Sequence, residues 1–67
     1  MNLNRIKEVL EERGISQTWL AKKTGKSFST INAYCCNRKQ PGLEVLSDIA
    51  NLLQVDIKDL ITDKDKR

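Results

Sequence analysis

Apolar residues recur at the spacing of an α-helix along most of this chain, and turn-forming residues interrupt them at intervals. In the first segment Leu3, Ile6 and Leu10 share one face, with Val9 beside them. Gly14 follows this segment, and a glycine in the left-handed conformation commonly ends a helix. The pattern therefore predicts a first helix that ends at Gly14.

Two shorter helical segments follow, and each begins with a serine. Ser16 and Ser27 are suited to cap helices, because a serine hydroxyl accepts a hydrogen bond from a free amide of the first turn. Gly25 lies between the two segments and allows a sharp turn. The segment that begins at Ser27 is the predicted third helix, and its residues divide between two faces. The apolar face consists of Ile31, Tyr34 and Cys35, and the outer face consists of Phe28, Ser29, Asn32, Ala33 and Cys36.

A loop separates these helices from the C-terminal part of the chain. Asn37 can take the left-handed conformation, and Pro41 prevents the third helix from continuing. Asp56 is placed to cap a short fifth helix. The apolar residues of the fifth helix are Ile57, Leu60 and Ile61. The apolar residues of the fourth helix form a stripe along one face: Leu43, Leu46, Ile49, Ala50 and Leu53, with Val45 and Leu52 at its margin.

The complete pattern predicts an all-α fold of five helices. No segment shows the alternation of a β-strand, and the chain has no internal repeat or low-complexity tract. We expect one domain over residues 1–61 and a disordered polar tail over residues 62–67. A chain of 67 residues buries only about 60% of its unfolded surface, so the core is expected to be thin.

Cysteine content and hydropathy indicate the cellular compartment of the protein. Cys35 and Cys36 are adjacent, so they cannot cross-link distant parts of the chain. No apolar run approaches the roughly 18 residues of a membrane span, and the N-terminus lacks the apolar core of a secretory signal. We therefore expect a cytoplasmic protein without a membrane partner.

The charge is distributed unevenly, although the net value is only +3. From Arg13 to Leu43 there are six basic residues and no acidic residue. The rest of the chain has six basic residues against nine acidic ones. A concentrated positive segment is typical of a protein that binds a polyanion, whereas a solvated surface without a partner is the simpler alternative.

Two stretches of sequence resemble a known family. Residues 16–31 read SQTWLAKKTGKSFSTI, and residues 41–46 read PGLEVL. They resemble the helix-turn-helix and the proline-led entry to helix four of the lambda-repressor-like, Cro-type (xenobiotic-response-element) regulators. The resemblance extends over residues 5–61. It implies a five-helix transcriptional regulator, in most cases a repressor, whose third helix lies in the DNA major groove. It also implies two subunits on a near-palindromic operator.

The resemblance assigns roles to individual residues. Gln17 matches a glutamine that contacts phosphate and braces the recognition helix, and Phe28 could either contact a base or cover the core. The positions expected to contact base edges are Phe28, Ser29, Asn32 and Ala33. The positions expected to contact phosphates are Gln17, Lys26, Ser27, Thr30, Arg38, Lys39 and Gln40. Each basic residue taken alone could equally be solvated.

Two features depart from the family pattern. Family members commonly pair an arginine of helix one with a glutamate of helix three, but the matching residues here are Leu10 and Cys35. An apolar contact is expected to replace the ion pair, at little cost in stability. The usual Glu-Asn-Gly after the recognition helix is Cys35-Cys36-Asn37 here, which puts the usual asparagine–phosphate contact in doubt.

Other functions are open at this point. The adjacent cysteines suggest a redox switch or a metal site, but the chain has no histidine, and metal binding normally needs four ligands. We find no acid–base pair or activated nucleophile, and we expect neither enzyme activity nor a cofactor. A small helical protein-interaction module and an antitoxin-like autoregulator are the alternatives to a free-standing regulator. Trp19 could shield the core, stack under Lys23 or contact a partner.

A palindromic operator requires two-fold symmetry, so we expect a weak homodimer. The apolar margin of helices four and five is the expected interface. Its residues are Leu52, Val55 and Ile61.

Overall fold

A computed structural model describes residues 3–62 of the chain. It contains four α-helices: α1 (Ile6–Arg13), α2 (Gln17–Thr24), α3 (Phe28–Cys35) and α4 (Leu43–Leu53). The predicted fifth helix is a single 3₁₀ turn over Ile57–Leu60, because extended backbone at Ile61 ends it after four residues. The all-α fold is confirmed, with the fifth helix shorter than expected. Within residues 3–62, no helix has the length and apolar character needed to cross a bilayer.

The helix ends follow the predicted local chemistry. The Ser16 hydroxyl accepts a hydrogen bond from the Trp19 amide at 3.0 Å, and the Ser27 hydroxyl accepts one from the Thr30 amide at 3.1 Å. Gly14 and Gly25 end α1 and α2 in the left-handed conformation, at φ 67° and 71°. These interactions are local, which explains why the sequence indicated them correctly.

The core lies where the four helices meet. The predicted apolar face of α3 is buried, as is the stripe of α4 from Leu46 onward. Leu10 and Cys35 both belong to this core, which agrees with an apolar contact in place of the family's ion pair. The side chains with the least exposure are Ile6, Leu20, Ile31, Ile49, Leu53 and Leu60.

Two leucines expected on buried helix faces are exposed. Leu43 is 73% exposed, because it is the first residue of α4 and precedes the part of the stripe that reaches the core. Leu3 is 44% exposed, because it lies before α1 in extended backbone and not on the helix. Both predictions of burial were wrong.

The two ends of the domain are joined by backbone hydrogen bonds. Asn4 and Ile61 form an isolated antiparallel bridge, and the Arg5 amide donates to the Leu60 carbonyl at 2.8 Å. Thr62, assigned from the sequence to the tail, donates to the Leu3 carbonyl at 3.0 Å. The hydrogen-bonded structure therefore continues to Thr62. Residues 63–67 of the predicted tail lie outside the described residues.

Candidate nucleic-acid interface

α2 and α3 form a helix-turn-helix with a three-residue turn. Gly25 ends α2 in the left-handed conformation, and Ser27 caps α3 two residues later. Buried Leu20, Ala21 and Ile31 lie where the two helices pack together. A short turn between packed helices fixes their relative orientation, so the outer face of α3 is held as one rigid surface.

The outer face of α3 carries the four residues expected to contact bases. Phe28 is 53% exposed, so it does not belong to the core, which was its alternative role. Ser29 is exposed, and Asn32 and Ala33 are half-buried farther along the helix. The structure thus brings an aromatic ring, a hydroxyl, an amide and a methyl group onto one helix face.

The Asn32 amide is held at both ends. Its Nδ2 donates to Gln17 Oε1 at 3.0 Å, and its Oδ1 accepts from Arg38 Nη2 at 3.2 Å. Gln17 therefore braces the third helix, as the resemblance implied. An amide nitrogen carries two hydrogens and an amide oxygen two lone pairs. Nδ2 therefore retains one free hydrogen, whereas Oδ1 also accepts from the Cys36 thiol at 3.8 Å, a weak donor that a stronger donor can displace. The orientation of the Asn32 amide is set before any ligand binds.

Cations surround this face without acidic partners. Lys26 is half-buried beside the turn, and Arg38 and Lys39 are exposed in the loop after α3. In the part of the chain that is described, the one salt bridge joins Arg5 to Glu12 at 3.5 Å. The charges near α3 are therefore not neutralised by carboxylates of those residues. The positive field is free to act on an external anion.

The hydroxyls at the start of α3 interact with each other. The Ser27 hydroxyl donates to Thr30 Oγ1 at 3.0 Å, in addition to its role as a cap. Ser27 and Thr30 thus lie together at the N-terminal end of α3, where free backbone amides and the helix dipole favour an anion.

Gln40 has a structural role that the sequence did not reveal. Its Oε1 accepts from Asn4 Nδ2 at 2.8 Å, and its Nε2 donates to Asn37 Oδ1 at 3.1 Å. Asn4 is only 4% exposed. Three amides thus meet beneath the loop, although Asn4 lies more than 30 positions from the other two. The sequence indicates Asn37 as a turn residue, but no local signal shows that its amide meets those of Asn4 and Gln40.

Trp19 and the expected dimer residues lie outside the outer face of α3. Lys23 Nζ lies 5.6 Å from the centre of the Trp19 ring, so stacking under Lys23 is confirmed among the possible roles of this ring. Leu52 and Val55 are half-buried against the core, and Ile61 is 44% exposed. Ile61 is therefore the most exposed of the three side chains expected at the dimer contact.

Among residues 3–62, no group of three or more His, Cys, Asp or Glu side chains is placed to hold a metal. Burial, and next the neighbouring Cys36, raise the pKa of the Cys35 thiol to about 11. Cys36 is exposed, and its Sγ lies 3.8 Å from Asn32 Oδ1.

Comparison with known proteins agrees with this geometry. The family model described as helix-turn-helix matches residues 6–60. A crystal structure described as that of "a putative DNA-binding protein from Bacteroides fragilis" is 48% identical to the chain and superimposes with a TM-score of 0.89. The match covers 92% of this chain and 100% of the other. No curated protein matches the chain. The chain belongs to the lambda-repressor-like, Cro-type helix-turn-helix family of DNA-binding domains.

Proposed function

We propose that this protein represses transcription by binding a specific double-stranded DNA operator, with α3 inserted into the major groove. The observation that carries the proposal is the outer face of α3. It presents the Asn32 amide in a preset orientation between Gln17 and Arg38. Basic residues that form no salt bridge with any of residues 3–62 flank this face. A small polar face with basic flanks is what docking into a major groove requires.

The base contacts follow from the chemistry of this face. The free Nδ2 hydrogen of Asn32 is suited to N7 of adenine. The Oδ1 lone pair that the weak Cys36 donor occupies is suited to the N6 donor of adenine once the thiol is displaced. Ser29 is exposed and can donate or accept. Phe28 and Ala33 offer apolar surface for a thymine methyl group. We assign the specificity of the domain to these four side chains.

Phosphate contacts hold the helix in the groove. We assign them to seven residues around the ends of α3, because charged side chains, polar side chains and helix N-termini all bind phosphate oxygens. Gln40 contributes only its second Nε2 hydrogen, since its other groups are engaged within the protein. The seven residues are Gln17, Lys26, Ser27, Thr30, Arg38, Lys39 and Gln40.

Two copies of the domain are needed for a near-palindromic site. We assign the dimer contact to Leu52, Val55 and Ile61, because Leu52 and Val55 are half-buried at the edge of the core and Ile61 is exposed. Half-sites would lie about 34 Å apart, one turn of B-DNA. Sedimentation that shows only monomer at high concentration, both with and without operator DNA, would remove this part of the proposal.

Selection of bound duplexes from a random pool, followed by salt titration, tests the function. We expect a consensus of two related half-sites. If Lys26, Arg38 and Lys39 of both subunits bind phosphate, the log–log slope of affinity against salt is about −5, at about 0.9 for each phosphate.

Lys39→Ala supplies the matched comparison. It should weaken binding to all sequences alike and lower the slope by about 0.9 for each subunit. Lys58→Ala is the control, because Lys58 is an exposed lysine of the 3₁₀ turn, outside the basic segment. A pool without enriched sequences, or affinity that does not change with salt, would contradict the proposal and favour a protein partner.

A further inference from the structure

Asn4 is the one buried polar residue among residues 3–62, at 4% exposure. Its Nδ2 donates to the Tyr34 carbonyl at 2.9 Å and to Gln40 Oε1 at 2.8 Å. Its Oδ1 accepts from the Ile6 amide at 3.0 Å. Both amide hydrogens are therefore used, and they connect the start of α1 to the end of α3 and to the loop beyond it.

The backbone of Asn4 forms two hydrogen bonds with the side chain of Asn37. The Asn4 amide donates to Asn37 Oδ1 at 3.0 Å, and Asn37 Nδ2 donates to the Asn4 carbonyl at 3.2 Å. This reciprocal pair resembles the pairing of two strands. Asn37 is also the residue that turns the chain after α3, in the left-handed conformation at φ 59°. The Asn4 backbone thus fixes the turn that follows α3.

The two basic residues of the loop lie between the points that Asn4 holds. Asn37 precedes Arg38, and Gln40 follows Lys39. The amides of Arg38 and Lys39 both point to the Ala33 carbonyl, at 2.9 and 3.3 Å. The two residues are exposed, yet their backbone is fixed on both sides.

We propose that Asn4 is a positioning residue for DNA binding, which holds residues 37–40 so that Arg38 and Lys39 meet the phosphate backbone. The proposal rests on the proposed function. Its physical basis is preorganisation: a loop that is ordered before binding loses less conformational entropy when its cations contact phosphate. Asn4 itself does not touch DNA in this arrangement, because it is buried.

Salt dependence separates positioning from stability. A variant that only unfolds a fraction of the protein lowers the active concentration and leaves the slope of log affinity against log salt unchanged. Loss of two phosphate contacts per subunit lowers that slope by about 1.8 per subunit. The slope, measured on protein shown to be folded by circular dichroism, therefore reports the role of the loop.

The experiment compares Asn4→Ala with Asn51→Ala on the selected operator. Asn51 is an exposed asparagine of α4, and its replacement should leave the slope unchanged. Asn4→Ala removes the side-chain hydrogen bonds to Tyr34 and Gln40 and keeps the backbone pair with Asn37. It should flatten the slope by releasing the Gln40 end of the loop, and it should have no further effect on affinity when Arg38 and Lys39 are already alanine. An unchanged slope for Asn4→Ala, with only a lower unfolding midpoint, overturns the proposal.

Asn37→Gly is the alternative test variant if Asn4→Ala does not fold. Glycine keeps the left-handed turn and removes the amide that Asn4 holds, so the same flattening is expected. If the native protein binds with a steep slope and neither variant flattens it, the positioning role alone is wrong. If the native protein shows no salt-dependent binding to any selected duplex, the proposed function fails, and the positioning role fails with it.

Discussion

Replacement of Asn32 by alanine tests the assignment of base contacts most directly. The variant removes the amide that Gln17 and Arg38 orient and keeps a strong helix former at the position. A bidentate amide–base contact contributes about 1 to 3 kcal/mol of discrimination. At about 1.4 kcal/mol for each tenfold change, affinity for the selected operator should fall about 5-fold to 150-fold.

The same change should affect folding only slightly. Arg38 is exposed and Gln17 and Asn32 are half-buried, so water can replace the lost hydrogen bonds. The change removes two hydrogen bonds, each worth about 0.5 to 1 kcal/mol where water can replace them, so we expect a loss of roughly 1 to 2 kcal/mol in the free energy of unfolding. The loss of affinity would therefore not come from unfolding.

Competition among single-base variants of the selected operator is the appropriate assay. The native protein should discriminate at the position that Asn32 contacts, and Asn32→Ala should bind the four bases there alike. Discrimination at other positions should persist, and Asn51→Ala on α4 should behave as the native protein does. If Asn32→Ala weakens binding to every sequence equally, Asn32 serves as a brace for α3 and the assigned base contact is wrong.

Three further changes test the fold. Ile31→Ala should lower the free energy of unfolding by about 2 to 5 kcal/mol in urea denaturation, because Ile31 is fully buried between helices; a much smaller loss would mean that the core is loosely packed. Gly25→Ala should cost about 1 to 2 kcal/mol through its backbone alone, because φ is 71° and no atom lies within 4 Å of an added Cβ. Gly25→Asn should cost less, and equal losses would argue against strain. Since burial raises the pKa of Cys35 to about 11 from 9.0, the folded state keeps a proton that the unfolded state releases, and stability should fall as the pH rises from 9 toward 11. Cys35→Ala should show a smaller fall between pH 9 and pH 11, and an identical fall would contradict this assignment.

The sequence by itself determined the helix positions, most of the core and the outer face of α3, to which we assign DNA binding. Helix periodicity and capping depend on residues within about four positions of each other. Ser16, Gly25 and Ser27 therefore marked both ends of α2 and the start of α3 correctly. The family pattern then placed Gln17 as the brace of α3, and the structure shows its contact with Asn32.

Tertiary structure alone decided what the polar residues of the loop do. Tertiary structure also decided that the apolar residue Leu43 is exposed, because a residue at a helix end is buried only if another element packs against it. Asn4, Asn37 and Gln40 are equally polar in the sequence, but the fold buries Asn4 and joins the three amides across more than 30 positions. A polar side chain is buried without large cost only where partners satisfy its hydrogen bonds. Those partners exist only once the path of the whole chain has brought them together.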